Sequence, residues 1–193
     1  MNAPVPSASR LMRQRPFVLF WMTRVASSMA YQMMALLIGW KIYEITNSAF
    51  DLGLVGLIQF VPQVVLTLLI GHAADRYDRR AIIRVAQSLN ALTALMIAAA
   101  LIAHSLDRYL LFGAVFLIGC ARAFEVPTGS ALVPLLVPAP LIARAVAAWT
   151  SANQVAVICG PALGGLLYVV SPLIVALVCV GFFSAAVVVP APP

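Results

Sequence analysis

The sequence predicts an all-α membrane protein with about six transmembrane helices. Composition is the first reason: 63% of the 193 residues are hydrophobic and 9% are charged. A soluble domain has roughly a quarter of its residues charged. Mean hydropathy is correspondingly high, at +1.03. The second reason is segmentation. Apolar runs recur at close to the roughly 20 residues that cross a ~30 Å hydrocarbon core. The third is the placement of arginines, which gather in short segments between those runs.

Residues 1–16 read as a short N-terminal tail carrying Arg10, Arg13 and Arg15. A basic tail followed by an apolar run is also how a signal peptide begins. Here the apolar region is long, contains Arg24 and is followed by further spans, which favours an uncleaved first helix. The transmembrane domain then covers 17–189. Its expected spans are about 17–40, 52–71, 82–103, 109–136, 145–170 and 173–189, with 190–193 as a C-terminal tail.

The first span must carry Arg24 within the membrane to reach a full crossing, and 41–51 is a polar connection. Pro62 sits within the second span, where a membrane helix tolerates a kink. The third carries Arg84 near its start, from which a long side chain snorkels to the headgroups. The fourth must include Arg122 and Glu125 to cross, and it continues past Pro127. Val137 to Leu141, with Pro138 and Pro140, is a loop. Ser171-Pro172 divides the uncharged C-terminal run into the last two spans.

Alternate connections differ in charge. One side collects Arg10, Arg13, Arg15, Arg76, Arg79, Arg80, Arg84 and Arg144, and the other has Lys41 and Arg108. The positive-inside rule places both termini in the cytoplasm, with an even number of spans; a bacterial-type inner membrane is the expected location. Trp21, Trp40, Tyr43, Tyr109 and Tyr168 lie near span ends, where an interfacial belt belongs.

The net charge of +6 does not point to nucleic acid, because the arginines form no continuous basic face. Cys120, Cys159 and Cys179 all lie in apolar segments and read as small buried hydrophobes rather than a disulfide framework. His72 and His104 have no second ligand at metal spacing, so no metal or cofactor is expected. Motifs of zinc hydrolases, serine hydrolases and phosphate loops are absent, and no enzyme activity is expected.

The densest charge cluster is Gly71-His72-Ala73-Ala74-Asp75-Arg76-Tyr77-Asp78-Arg79-Arg80, between the second and third spans. Its frame, Gly71-x-x-x-Asp75-Arg76-x-x-Arg79-Arg80, resembles motif A of the major facilitator superfamily. Asp78 stands where that motif commonly has glycine. Gly160-Pro161-Ala162-Leu163-Gly164-Gly165 resembles the core of the antiporter motif in the fifth helix of drug exporters, with Ala147 and Ala156 replacing its upstream glycines. Arg122 matches the motif B arginine. Asn47-Ser48-Ala49-Phe50 through Gln59-Phe60-Val61-Pro62 is similar to the subgroup containing the enterobactin exporter.

The resemblance implies the N-terminal six-helix half of a two-half transporter, with substrate bound between the halves. The implied activity is proton-coupled efflux of an amphipathic or siderophore-like small molecule. The implied partners are the bilayer, the substrate, protons and a second six-helix half, as a separate chain or a second copy. A non-transporting module, either a truncated product or a packing subunit, is the alternative. The end of the sequence at Val189-Pro190-Ala191-Pro192-Pro193, without a basic linker, favours truncation.

Several residues carry two readings. Gly71, Asp75, Arg76, Arg79 and Arg80 are either a solvated topology signal or, by resemblance, a cytoplasmic gate. Arg24 is either snorkelling or facing a cavity or partner. Arg122 and Glu125, three apart on one helix face, are either a mutually neutralising pair or a proton-coupling site. In the second case Glu125 takes up and releases a proton as its surroundings alternate between wet and dry. Ala152, Ala156, Gly160 and Gly164 form a smooth stripe, with Pro161 and Gly165 beside it. That stripe is either ordinary helix packing or a pivot and seal between halves. Met22, Met29 and Met33 share a face that suits core packing or promiscuous apolar binding.

Overall fold

The computed structural model describes residues 15–76, 78–132 and 137–188. Six long helices run through them: α1 (Arg15–Thr46), α2 (Ala49–Arg76), α3 (Arg79–Ile102), α4 (Arg108–Leu132), α5 (Ile142–Val170) and α6 (Pro172–Val188). A single 3-10 turn, Ala139–Leu141, precedes α5. No strand occurs among the described residues.

The helix ends follow from local chemistry. Ser48 Oγ accepts from the Asp51 backbone N–H at 3.2 Å, and Asp107 caps α4 through the Leu110 N–H at 2.8 Å. Ser171 accepts from the Leu173 N–H, with Pro172 as the first residue of α6, where its missing N–H costs nothing. Asn47 and His104 both have φ of 49°, the left-handed conformation that turns the chain after α1 and α3.

These caps move two expected boundaries. Lys41–Thr46 is the last turn of α1 rather than a polar connection. The arginine segment is mostly helix: α2 runs through Arg76 and α3 begins at Arg79. Asp78 is the N-cap of α3, its carboxylate accepting from the Arg80 N–H at 3.1 Å. An aspartate thus fills the motif's usual glycine position because it satisfies an otherwise free helix donor.

Helix α1 packs against α5 and α6, α3 against α4 and α6, and α2 against α4. Small residues set these approaches. A Cβ on Gly160 would lie 2.6 Å from Gln32 Cβ, and one on Gly119 would lie 2.7 Å from Gln59 O and Pro62 Cγ. Ala152, Ala156, Gly160 and Gly164 are all buried, and Gly160 and Gly164 meet Gln32 and Met33 of α1. The stripe thus lets α5 approach α1 closely within the bundle. Pro161 continues α5 without ending it.

Two apolar clusters result. The larger joins Met33, Met34, Leu37 and Ile42 of α1 with Ile97 of α3, Leu111 and Val115 of α4, and Phe183 of α6. The smaller, near the other end, joins Val137, Leu141 and Ala145 with Trp21, Ile83 and Trp149. Met33 thus packs in the core while Met22 faces outward, so the expected methionine face is divided. Cys179 is buried, with its thiol on the Ala30 carbonyl, whereas Cys159 is exposed, against expectation.

The outward surface is apolar. Phe50, Phe60, Val65, Ile158, Leu166 and Val169 are all exposed. A water-soluble monomer rarely exposes so many large apolar side chains, whereas a bilayer accepts them. Helices α2 to α5 each contain a stretch long and apolar enough to cross a membrane, and α6 is a shorter apolar helix. Helix α1 carries Arg24, Gln32 and Lys41 along its length, all three partly buried.

Candidate functional site

Between the two apolar clusters lies a polar layer centred on Glu125. This residue is 6% exposed, on α4. Arg24 of α1 forms an ion pair with it, Nη1 donating to Oε1. Two amides from α3 complete its shell. Gln87 Nε2 donates to Oε1 at 2.8 Å, and Asn90 Nδ2 donates to Oε2 at 3.3 Å. Gln87 and Asn90 are three apart and so present both amides on one face. Charge-assisted bonds of this kind are roughly twice as strong as neutral ones.

Arg24 is held from its other side as well. Its guanidinium lies 4.8 Å from the centre of the Trp149 ring on α5. A Cβ on Gly129 would lie 2.9 Å from Trp149 Cη2 and 3.7 Å from Arg24 Cζ, so the glycine admits both. Trp21 Nε1 donates to the Ala148 carbonyl at 3.1 Å, which keeps α1 and α5 in register beside the pair. The layer thus draws on α1, α3, α4 and α5.

Arg122 is not the partner of Glu125. Its guanidinium stacks on Tyr31 of α1, 3.7 Å from the ring centre. The expected mutual pair is corrected: α1 passes close enough for Arg24 to take the carboxylate, leaving Arg122 on an aromatic face. Tyr31 and Gln59 line a cavity of about 30 Å³ with Ile38, Val55 and Val115. That is room enough for a water.

A second hollow, about 380 Å³, lies between α3 and α4 and is lined by Ile82, Val85, Leu89, Cys120 and Phe124. It is wholly apolar and contains no candidate site residue. Among the described residues, no cluster of His, Cys, Asp and Glu suits a metal.

The motif A residues are only partly described. The backbones of Gly71, Asp75 and Arg76 belong to α2, and their side chains lie outside the described residues. Arg79 Nη1 donates to the Ala131 carbonyl at 3.3 Å, in the last turn of α4. A cation there complements the negative end of a helix dipole. Arg80 contributes its backbone N–H to the Asp78 cap. Gly165 is near Leu36 Cδ1, at 4.0 Å from its would-be Cβ.

At the opposite end of α1, Lys41 Nζ pairs with Glu44 Oε2 at 2.8 Å, and Tyr168 Oη donates to the same oxygen at 2.9 Å. Trp40 packs edge-on against Tyr168, with ring centres 6.1 Å apart. Lys41 first, then Tyr168, hold the Glu44 carboxyl below its usual range.

Residues 7–190 match the family described as transmembrane secretion effector. The chain is 27% identical over 175 residues to macrolide efflux protein A of Streptococcus pyogenes, and equally so to the protein of that name from serotype M6 of the species. The match takes in 90% of this chain and 43% of each relative, so the chain spans less than half the length of these curated relatives. With its all-α, outwardly apolar bundle, this multi-pass membrane protein belongs to the transmembrane secretion effector family of major facilitator superfamily transporters.

Proposed function

We propose that the chain forms the N-terminal half of a proton-coupled exporter of amphipathic small molecules, with Glu125 as the proton-exchanging group. The observation that carries the reading is the Arg24–Glu125 pair, buried between apolar clusters and held by Gln87 and Asn90. Ionisable groups at membrane depth are costly and mark ion or substrate pathways. Protonating Glu125 removes one half of the pair and leaves Arg24 with only the Trp149 face. Relative motion of α1 and α4 then becomes easier, which is the coupling that alternating access needs. Arg122, stacked on Tyr31, is the second cation of the same layer.

The cargo is read as a bulky amphipathic compound. The macrolide efflux relatives support this class, and the resemblance of 47–62 to the enterobactin exporter subgroup extends it to siderophore-like molecules. Because the chain spans 43% of those relatives, the cavity is taken to close against a second six-helix half. In this reading both termini lie in the cytoplasm of a bacterial inner membrane. The motif A residues Gly71, Asp75, Arg76, Arg79 and Arg80 form a gate on that side. Gly160, Pro161, Gly164 and Gly165 fix α5 against α1.

The test is efflux of a macrolide from proteoliposomes energised by a pH gradient, with the chain and its cognate second half reconstituted together. Wild-type protein should export, and Glu125→Gln should insert normally but lose the gradient dependence. Retained gradient-driven efflux in Glu125→Gln would remove Glu125 from the mechanism.

A further inference from the structure

In the polar layer Gln87 is 1% exposed and Asn90 2% exposed. Each amide spends its NH2 group on the Glu125 carboxylate. Each leaves its own oxygen, Gln87 Oε1 and Asn90 Oδ1, buried without a hydrogen-bond partner. Unpaired buried acceptors are rare and call for an explanation. An apolar pair at these positions would avoid them, and a single donor would suffice to orient the carboxylate.

Resting on the reading of Glu125 as a proton-exchanging group, we propose that Gln87 and Asn90 are positioning residues that serve both protonation states of Glu125 by turning their amides over. With Glu125 ionised, both NH2 groups donate to it, as observed. When a proton passes from a hydronium ion in the access pathway to Glu125, water is released and the carboxyl gains an O–H that needs an acceptor. Rotation of one amide by half a turn presents that acceptor in the place of its donor. An amide carries both functions on one planar group, which a hydroxyl-free apolar residue or a lysine does not. The protonated acid is thereby kept in place beside Arg24 while their ion pair is dissolved. When the proton leaves to water, the amide turns back.

The cations and the indole around Glu125 do not duplicate this role. Arg24 from α1 is a donor only, and Arg122 is a donor engaged with Tyr31. Trp149 of α5 lies against Arg24, and its indole N–H is a donor only. Thr128 of α4, 3% exposed and with its hydroxyl unpartnered, lies one turn along the same helix. The Tyr31 side chain is hydrogen-bonded with Gln59 and carries Arg122 over its ring.

The experiment is pH-difference infrared spectroscopy on the chain in liposomes. The protonated-carboxyl band of Glu125 is identified by its loss in Glu125→Gln. In wild-type protein this band should sit at the low wavenumber of an acid that donates a hydrogen bond. In Gln87→Met and Asn90→Leu it should move to higher wavenumber, most in the double variant, and Gln87→Asn should restore part of the shift. A band unmoved in the double variant overturns the proposal. Wild-type protein labelled with carbon-13 at the glutamine and asparagine side-chain amides tests the same point without mutation: an amide carbonyl band must change over the pH range in which Glu125 protonates, and constancy of both the glutamine and the asparagine bands also overturns the proposal. If no titrating band is lost in Glu125→Gln, the failure is that of the proton-exchange reading instead.

Discussion

Arg24 on α1 and Glu125 on α4 stand 101 positions apart and form an ion pair that ties the first helix to the fourth. Removing either partner leaves the other buried and uncompensated. Arg24→Met or Glu125→Gln alone should lower stability by about 3–5 kcal/mol, as for buried pairs elsewhere. Replacing both with methionine should recover most of that loss, because no lone charge remains. Thermal unfolding of the detergent-solubilised single and double variants measures this. Additive losses in the double variant would mean that the pair is not a coupled unit.

The helices were legible in the sequence, whereas the pairing inside them was not. Hydropathy and loop arginines located the apolar runs because lipid contact demands a nearly uninterrupted apolar surface. Arg24, Arg122 and Glu125 stood out individually for the same reason. Spacing along α4 suggested Arg122 as the partner of Glu125, since only neighbours on one helix are visible in a linear chain. The choice of Arg24 depends on how closely α1 crosses, and that is a tertiary fact. Gln87 and Asn90 escaped notice because neutral amides hardly disturb a hydropathy profile. The available signal was their spacing, two amides three residues apart within one apolar span. The helix ends were missed where caps such as Ser48 and Asp78 outweighed the apolar boundary.

The contact of α5 with α1 depends on the missing side chain at Gly160. An added Cβ would stand 2.6 Å from Gln32 Cβ and 3.3 Å from the Met29 carbonyl oxygen, so α1 must shift to admit it. Gly160→Ala should destabilise the bundle by about 1–3 kcal/mol, the usual cost of overpacking. Gly181→Ala, where nothing lies within 4 Å, should be neutral or slightly stabilising. Comparing the two variants by thermal unfolding separates crowding from the general effect of alanine in a helix. Equal behaviour of the two would show that α1 yields without cost.

Acidity should act on the end of α1 through Glu44. Its carboxyl is held below the usual 4.5, first by Lys41 and then by Tyr168. A depressed folded-state value means that the contribution is present above about pH 4.5 and is lost as pH falls through the folded value. Wild-type protein and Glu44→Gln should therefore differ in stability at neutral pH and converge on acidification below that range. The difference should be small, because Glu44 is exposed and such pairs are well screened. Unfolding midpoints measured across pH 3 to 7, roughly the span over which carboxylates titrate, provide the check. Curves that diverge towards low pH would contradict the assigned direction.

Arg79 and Arg80 separate topology from gating. Arg79 reaches the Ala131 carbonyl near the end of α4, while Arg80 adds its backbone to the α3 cap. Six further arginines on the expected cytoplasmic side, Arg10, Arg13, Arg15, Arg76, Arg84 and Arg144, still outnumber Lys41 and Arg108 when both are replaced. Orientation is set by that bias rather than by any one loop. Arg79→Ala/Arg80→Ala should therefore insert with unchanged orientation in a cysteine-accessibility map. Efflux by the assembled transporter should nevertheless fall, because the contact between the start of α3 and the end of α4 is lost. An inverted map would assign these arginines to topology alone. A normal map with full efflux would deny them both roles.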